Sequence, residues 1–442
     1  MTAQDINALP LPPGDNGLPF IGETISFFTD SNFNAKKVAK YGKVYRTNIF
    51  GNPTVSMIGA EANSFLFRNE NKYVVSTWPK STRILLGDLS LAVKNGEFHK
   101  SRRQLLYQAF QPRALASYIP TMEAITQQYI DRWLQKSELI WYPELRDYTF
   151  DIASELLVST DGGSQTPLGE LFEDWCAGLF SIPLNLPWTT FGKALRCRRE
   201  LLQYIEAIVV KRQQATDPGE DALGLLIKAA DEDGNKLTTA ELKDQVLLLL
   251  FAGHETLTSA VASFCLLTAQ HPEVMAKLRA EQTKFRDLET LSLETIKEMT
   301  YLDMVIKEVM RIIPPVGGGF RKVIETFEFQ GYQIPQGWTI QYQIAQTHQD
   351  SEIYSESDHF DPERFAPDRQ EDKQASFAYI PFGGGLRECL GKEFARLEMR
   401  IFAARLLQQC RWELLPDQNL ELVTVPTPHP KDNLKVRIFA AS

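Results

Sequence analysis

Thr238–Gln270 constrains the fold more than any other stretch of the chain. Thr238 followed by Glu241 is a capping-box start, and His271-Pro272 is a stop. At about 1.5 Å per residue such a helix reaches roughly 50 Å, enough to cross a large domain. Within it Val246–Ala269 is apolar enough to pass for a membrane span, which needs about 20 such residues. Yet His254, Glu255, Thr256 and Thr258 sit in its middle. Ionisable groups are costly at the centre of a bilayer, so the segment reads as the buried helix of a large soluble protein, with no membrane span.

A chain of 442 residues suggests about three domains at roughly 150 residues each. No flexible linker, internal repeat or low-complexity segment divides it, so the sequence predicts one large domain over 1–442, mainly α with small β-sheets (α+β). A β-rich lobe is expected at about 40–70 and 320–345, with helices forming the remainder. Strand patterns cover Val44–Phe50 and Thr54–Ile58 around a Gly51-Asn52-Pro53 break. Helical spacing runs from about Glu97 to Ala230, punctuated by Pro112, Pro120, Pro143 and Pro183–Pro187. It returns at Leu302–Ile313 and at Cys389–Gln409. Strands are expected at Thr326–Phe329, Gly331–Ile334 and Trp338–Tyr342. The stretch His348–Phe382 is irregular, a length that ordinarily marks a functional loop.

Charge and cysteine usage exclude several classes. Lys and Arg number 47 against 56 Asp and Glu, so a net charge of −9 offers no global field for nucleic acid or anionic lipid. Five cysteines without a CxxC pair exclude a disulfide scaffold or zinc ribbon and fit a reducing cytoplasm. The N-terminal stretch lacks the basic and apolar runs of a signal or anchor, and is expected to be neither.

Three local patterns carry chemistry. In Phe382-Gly383-Gly384-Gly385-Leu386-Arg387-Glu388-Cys389-Leu390-Gly391, glycines allow a tight turn and close approach to a flat partner. Arg387 brings a cation near the Cys389 sulfur, and a helix starting just after it favours the thiolate. A lone Cys is ordinarily a small buried hydrophobe, but this setting suits axial ligation of haem iron. The second pattern, Ala252-Gly253-His254-Glu255-Thr256, places Gly inside an apolar helix, where it costs about 1 kcal/mol relative to Ala. Either Gly253 is a packing contact and Glu255 is solvated, or the helix is distorted so that Glu255 and Thr256 move protons into a dry pocket. His254 reads as a surface or core histidine with no second metal ligand nearby. The third is Glu308-Val309-Met310-Arg311, an i, i+3 pair that is unremarkable by itself.

Together and in this order, these patterns resemble the cytochromes P450, over essentially the whole chain. Phe382–Gly391 matches that family's haem-thiolate loop, Phe-x-x-Gly-x-Arg-x-Cys-x-Gly. Ala252–Thr256 matches its oxygen-activation motif and Glu308–Arg311 its Glu-x-x-Arg. Arg364, in Pro362-Glu363-Arg364-Phe365, is the third partner of a structural triad with Glu308 and Arg311. The resemblance implies haem b on the Cys389 thiolate, in contact with Phe382 and Gly391. Its propionates would meet Arg103, Arg321 and Arg387. The family's Trp-x-x-x-Arg is here His99-Lys100-Ser101-Arg102-Arg103, so His99 either donates to a propionate or is merely solvated.

Asn95–Arg103, Pro314–Arg321 and Gly331–Trp338 resemble the retinoic-acid-hydroxylating branch, and the missing N-terminal anchor points to its soluble cyanobacterial members. The implied activity is a monooxygenase hydroxylating a long apolar carboxylate, retinoic acid or a related retinoid. Glu255 and Thr256 would manage protons, and electrons would come from a ferredoxin and its reductase to a cytoplasmic monomer. Trp78–Ser90 and Pro314–Phe320 are the expected pocket walls, with Ala252, Val316 and Gly318 as lining. Lys392, Arg396, Lys100 and Arg102 form either a ferredoxin-docking patch or an ordinary solvated face. The rival readings are another fatty or terpenoid substrate, a peroxide-using hydroxylase or isomerase, a haem gas sensor, and a haem- or retinoid-binding protein without turnover.

Overall fold

A computed structural model of the chain describes residues 3–441. They pack as two compact units, each drawn from several stretches of chain. The first comprises the described part of Met1–Pro79 with Glu308–Cys389 and Leu422–Pro428. The second comprises Lys80–Lys307, Leu390–Glu421 and the described part of His429–Ser442.

The first unit is built on a five-stranded sheet, ordered Val44–Ile49, Asn52–Met57, Thr339–Gln343, Gly318–Val323, Val74–Thr77. Val44–Ile49 and Asn52–Met57 form a hairpin whose register pairs Val44 with Met57 and Ile49 with Asn52. Its two-residue turn is Phe50-Gly51, at φ +55° and +71°, the paired positive values that suit strand twist. The turn thus lies ahead of the expected Gly51–Pro53 break, and Pro53 is inside a strand opposite Asn48. Val55, Met57, Val74, Val323 and Ile340 pack with Leu66 and Phe67 of the helix Ala60–Arg68 into one buried cluster. The strand Val74–Thr77 lies outside the expected β-rich stretches, and Gly318–Val323 begins two residues ahead of one, where the sequence reads as a glycine run.

The second unit is helical. Thr239–Gln270 is one unbroken helix with the reciprocal Thr238–Glu241 capping box. It packs against Trp141–Val158, Thr190–Gln214 and Lys392–Gln409. Among the described residues this is the helix long and apolar enough to cross a membrane, and most of it is buried inside the unit. Pro120 does not end a helix as expected: it lies inside Pro112–Leu134. The helix after Cys389 starts at Lys392, so Cys389 itself is in the preceding loop. A small antiparallel sheet of Glu138–Ile140, Lys435–Ala440 and Cys410–Leu414 completes the unit.

Candidate active site

In the first unit the cysteine loop is closed by a Cys389 N–H bond to the Phe382 carbonyl at 2.9 Å. Gly383 and Gly385 hold φ of +68° and +64°, conformations a side chain disfavours. Gly384 is extended, but a Cβ there would lie 2.7 Å from the Phe67 ring, and one on Gly385 2.9 Å from Phe67. Two of the three glycines are therefore accounted for by Phe67, a protein partner that the sequence reading did not supply. Phe382 is half-buried. In the second unit Gly391 caps the next helix without a side-chain hydrogen bond, and its nearest neighbour is the Phe110 ring.

Cys389 is exposed, whereas Cys197, Cys265 and Cys410 are buried and Cys176 is half-buried. Burial pushes Cys410 up to about 12, raises Cys197, and drives Cys176 and Cys265 well above the ordinary thiol range. Cys389 is the exposed thiol of the five, accessible to a ligand as the others are not. Cβ atoms built on Gly317 and on Gly253 would each meet open space. An accessible thiol in a glycine loop with Arg387 two residues earlier fits a haem-thiolate group.

Arg321 and Arg387 converge on a carboxylate of their own unit. Arg321 Nε donates to Glu70 Oε2 at 2.6 Å, and Arg387 Nε lies 3.5 Å from Glu70 Oε1. Glu70 Oε1 also accepts the Ser76 N–H at 2.9 Å. All three ionised side chains are nearly buried. Glu70 was missed because only the strand register, which sets Ser76 opposite Arg321, brings it there.

Glu308 anchors the irregular segment. It takes a two-point contact from Arg311, at 2.6 and 2.9 Å, and a 3.0 Å contact from Arg364 Nε. Arg311 donates to the carbonyls of His348, Ser357 and His359, and Arg364 to that of Ser355. Glu371, absent from the sequence reading, joins as a fourth member through a 2.6 Å contact with Arg364. All three triad side chains are inaccessible, so these bonds replace the hydration that buried charges give up. His348 Nε2 accepts the Ile380 N–H at 2.9 Å; burial first, and then the Arg311 charge, lower it to about 3. It is a neutral acceptor that ties this segment to the cysteine loop.

In the second unit the long helix divides its motif between two faces. Thr256 and Ala252 share the accessible face, the Thr256 hydroxyl donating to the Ala252 carbonyl at 2.8 Å. His254 and Glu255 are buried on the other. Glu255 is neither solvated nor beside Thr256: Arg146 Nη2 meets its Oε1 at 2.9 Å and Nη1 its Oε2 at 3.2 Å. The helix is not interrupted at Gly253, nor is Gly253 a packing contact.

His99 is buried rather than solvated, four residues from half-buried Arg103 on the helix Gly96–Tyr107. Residues of the basic patch are engaged with acids. Arg102 reaches Glu241 at 2.6 Å, Arg396 reaches Glu393 at 3.2 Å, and Lys100 lies 3.9 Å from Glu97. In the first unit Val316 is exposed. Gly318 is crowded instead: a Cβ there would fall 2.2 Å from the Tyr342 carbonyl oxygen, so strand packing explains that glycine.

A helix-rich fold with small sheets, an accessible thiol in a glycine loop and a buried Glu-Arg-Arg triad define a haem-thiolate oxygenase. The cytochrome P450 family model matches residues 12–435, and the chain belongs to that family of haem-thiolate monooxygenases. It is 52% identical over 436 residues to the putative cytochrome P450 120 of Synechocystis sp., covering 99% of this chain and 98% of that protein. Cytochrome P450 26B1 of Xenopus tropicalis is 37% identical, with 98% and 87% covered, and that of Homo sapiens 36% over the same shares. A solved structure of retinoic acid-bound cyanobacterial CYP120A1 superimposes with a TM-score of 0.95 at 52% identity, covering 98% of this chain and all of that one.

Proposed function

We propose that this monooxygenase hydroxylates retinoic acid or a closely related retinoid, using haem b on the Cys389 thiolate and electrons from a ferredoxin and its reductase. The observation that carries the substrate class is full-length similarity, at 52% identity, to a protein whose structure holds retinoic acid. The whole chain acts as one catalytic domain, monomeric and cytoplasmic.

When bound, the haem supplies oxygen activation and the C–H insertion, with the thiolate donating electron density. The protein's share is to hold, orient and supply protons. Arg103, Arg321 and Arg387 would take the propionates, where Arg forks match carboxylates. Phe382, Gly391 and His99 would complete the cofactor's surroundings. Arg321 and Arg387 are held in place by Glu70 before any propionate arrives. Thr256 keeps its hydroxyl proton on the Ala252 carbonyl and presents its lone pairs to a water on the accessible face. Glu255 is the acid behind that water and is parked on Arg146, so delivering a proton requires it to turn away from the guanidinium. Ala252 and Val316, exposed in their own units, would contact the apolar chain of the substrate.

The test is an absorbance titration of the ferric holoenzyme with all-trans retinoic acid, followed by reduction under carbon monoxide and product analysis by mass spectrometry. A spin-state shift at micromolar ligand and a product heavier by one oxygen are expected. A normal thiolate-type carbon monoxide spectrum with no shift and no product would retain the P450 and reject the retinoid.

A further inference from the structure

His254 sits between two carboxylates, one open to solvent and one buried. Its Nε2 is 3.8 Å from Glu173 Oε1 and 3.8 Å from Glu255 Oε1. Glu173, on the helix Pro167–Gly178, has a side chain 54% exposed, against 4% for Glu255 and 1% for His254. Arg146 Nη2 closes the ring from the other side, touching Glu173 Oε1 at 2.5 Å and Glu255 Oε1 at 2.9 Å. His254 Nε2 itself is buried and has nothing within hydrogen-bond distance. An approach of roughly 1 Å would give it a normal hydrogen bond to either acid.

The opposite edge of the ring engages the other nitrogen. Thr258 Oγ1 donates to the His254 carbonyl at 3.0 Å, so its proton is spent. Thr149 Oγ1 is 2.7 Å from Thr258 Oγ1 and 3.1 Å from the Leu145 carbonyl, either of which can take its proton. At 2.9 Å from His254 Nδ1, Thr149 can then accept, in the tautomer whose Nδ1 carries the hydrogen. Nε2 is then the position where an incoming proton lands. Phe150 and Phe172 pack against the imidazole at 5.3 and 5.7 Å and shield it from bulk water.

Resting on the reading of Glu255 as the proton-delivering acid, we infer that Glu173 and His254 form the proton entry that reloads Glu255 from solvent, with Arg146 as its positioning residue. A proton arrives at the Glu173 carboxylate from water and passes to His254 Nε2. The Nε2–H bond then breaks as an O–H bond forms on Glu255, and no electrons move. Protonated Glu255 loses its charge attraction to Arg146 and is freed to turn. Against burial, the His254 contact and the Arg146 charge hold Glu173 down to about 2, so it rests ionised and hands an arriving proton on rather than keeping it. The charged or titratable groups around the imidazole are Arg146 and Asp147 from Trp141–Val158, Glu173 and Cys176 from Pro167–Gly178, and Glu255 on its own helix.

The experiment uses ¹⁵N-histidine-labelled holoenzyme in its diamagnetic reduced carbon monoxide form. The chain has six histidines, and H254Q identifies the His254 signal by its loss. Glu173→Gln should slow proton arrival at His254 Nε2, read as exchange broadening of that ¹⁵N signal, by tenfold or more. It should also lower the fraction of electrons recovered as hydroxylated product severalfold and flatten that fraction's pH profile, with Glu173→Asp restoring both. Wild-type exchange and coupling in E173Q would overturn the route. If E255Q uncouples while E173Q does not, the route alone fails; if E255Q retains wild-type coupling, the reading of Glu255 fails and takes the route with it.

Discussion

Glu70 and Arg321 meet at 2.6 Å with side chains 2% and 5% exposed, a buried ion pair joining a residue four positions ahead of one sheet strand to the middle of its neighbour. Arg387 leans on the other oxygen of the same carboxylate. Arg321 and Arg387, two of the three cations proposed for the haem propionates, are therefore engaged before any haem binds. They already belong to a structural pair, and its loss would be felt in stability as well as in cofactor retention.

Glu70→Ala should destabilise the protein by about 3–5 kcal/mol, because it strands Arg321 as an uncompensated buried charge. Glu70→Ala combined with Arg321→Met should recover most of that loss, since removing both charges is often nearly neutral. Denaturant unfolding with haem release followed in parallel separates the two roles. Recovered stability with rapid haem loss would assign Arg321 to the propionate as well as to Glu70.

The glycine loop predicts a pair of contrasting substitutions. Gly384→Ala meets the Phe67 ring most closely, at 2.7 Å, with the Phe377 ring at 3.0 Å, at an extended φ of −169°. It should cost about 1–3 kcal/mol through overpacking and be relieved by Phe67→Leu. Gly385→Ala instead meets the Cβ and the carbonyl oxygen of Phe67, both of which Phe67→Leu keeps, and its φ of +64° remains, so trimming the ring should not rescue it. Thermal unfolding of the two singles and two doubles checks this, and equal rescue of both would refute the backbone argument.

How much of this could be read from the chain depends on whether the cause is local. The capping box at Thr238, the helix Thr300–Ile312, the hairpin around Phe50 and the cysteine loop all follow from residues within a few positions of each other. Glu70, Glu371 and Arg146 do not. Each becomes a partner only when distant segments meet, and in the sequence they look like any surface charge. Glu255 shows the limit most sharply. Its adjacency to Thr256 invites a shared face, yet at about 100° per residue consecutive side chains diverge, and Arg146 fixes the outcome. Pro120 is the opposite failure: a strong local breaker overridden by the burial of Tyr118, Ile119 and Met122 around it.

Asp147 predicts an inverted pH response. Burial, and then the charges of Asp151, Glu144 and Glu173, raise it from 3.8 to about 6. Below about pH 4 both folded and unfolded forms are protonated, and the group costs nothing. As pH rises to about 6 the unfolded chain ionises first, so folding loses free energy, and above that the penalty is constant. Asp147→Asn should therefore leave stability unchanged near pH 3.5 and raise it by on the order of 1–3 kcal/mol at pH 8. Unfolding curves at the two pH values decide the matter; equal gains at both would assign the effect to packing.

Thr256 and Thr258 are two residues apart and should respond in opposite ways to the same change. The Thr256 hydroxyl lies on the accessible face and bonds back to its own helix, so Thr256→Ala removes no tertiary contact. Ala is also the better helix former by about 0.5 kcal/mol. Melting temperature should hold or rise while product formed per electron pair falls severalfold and hydrogen peroxide increases. Thr258→Ala instead removes a buried hydroxyl that bonds Thr149 and supports the His254 edge. That should cost about 1–2 kcal/mol. A Thr256→Ala protein that is less stable yet fully coupled would place its hydroxyl in the fold and not in proton supply.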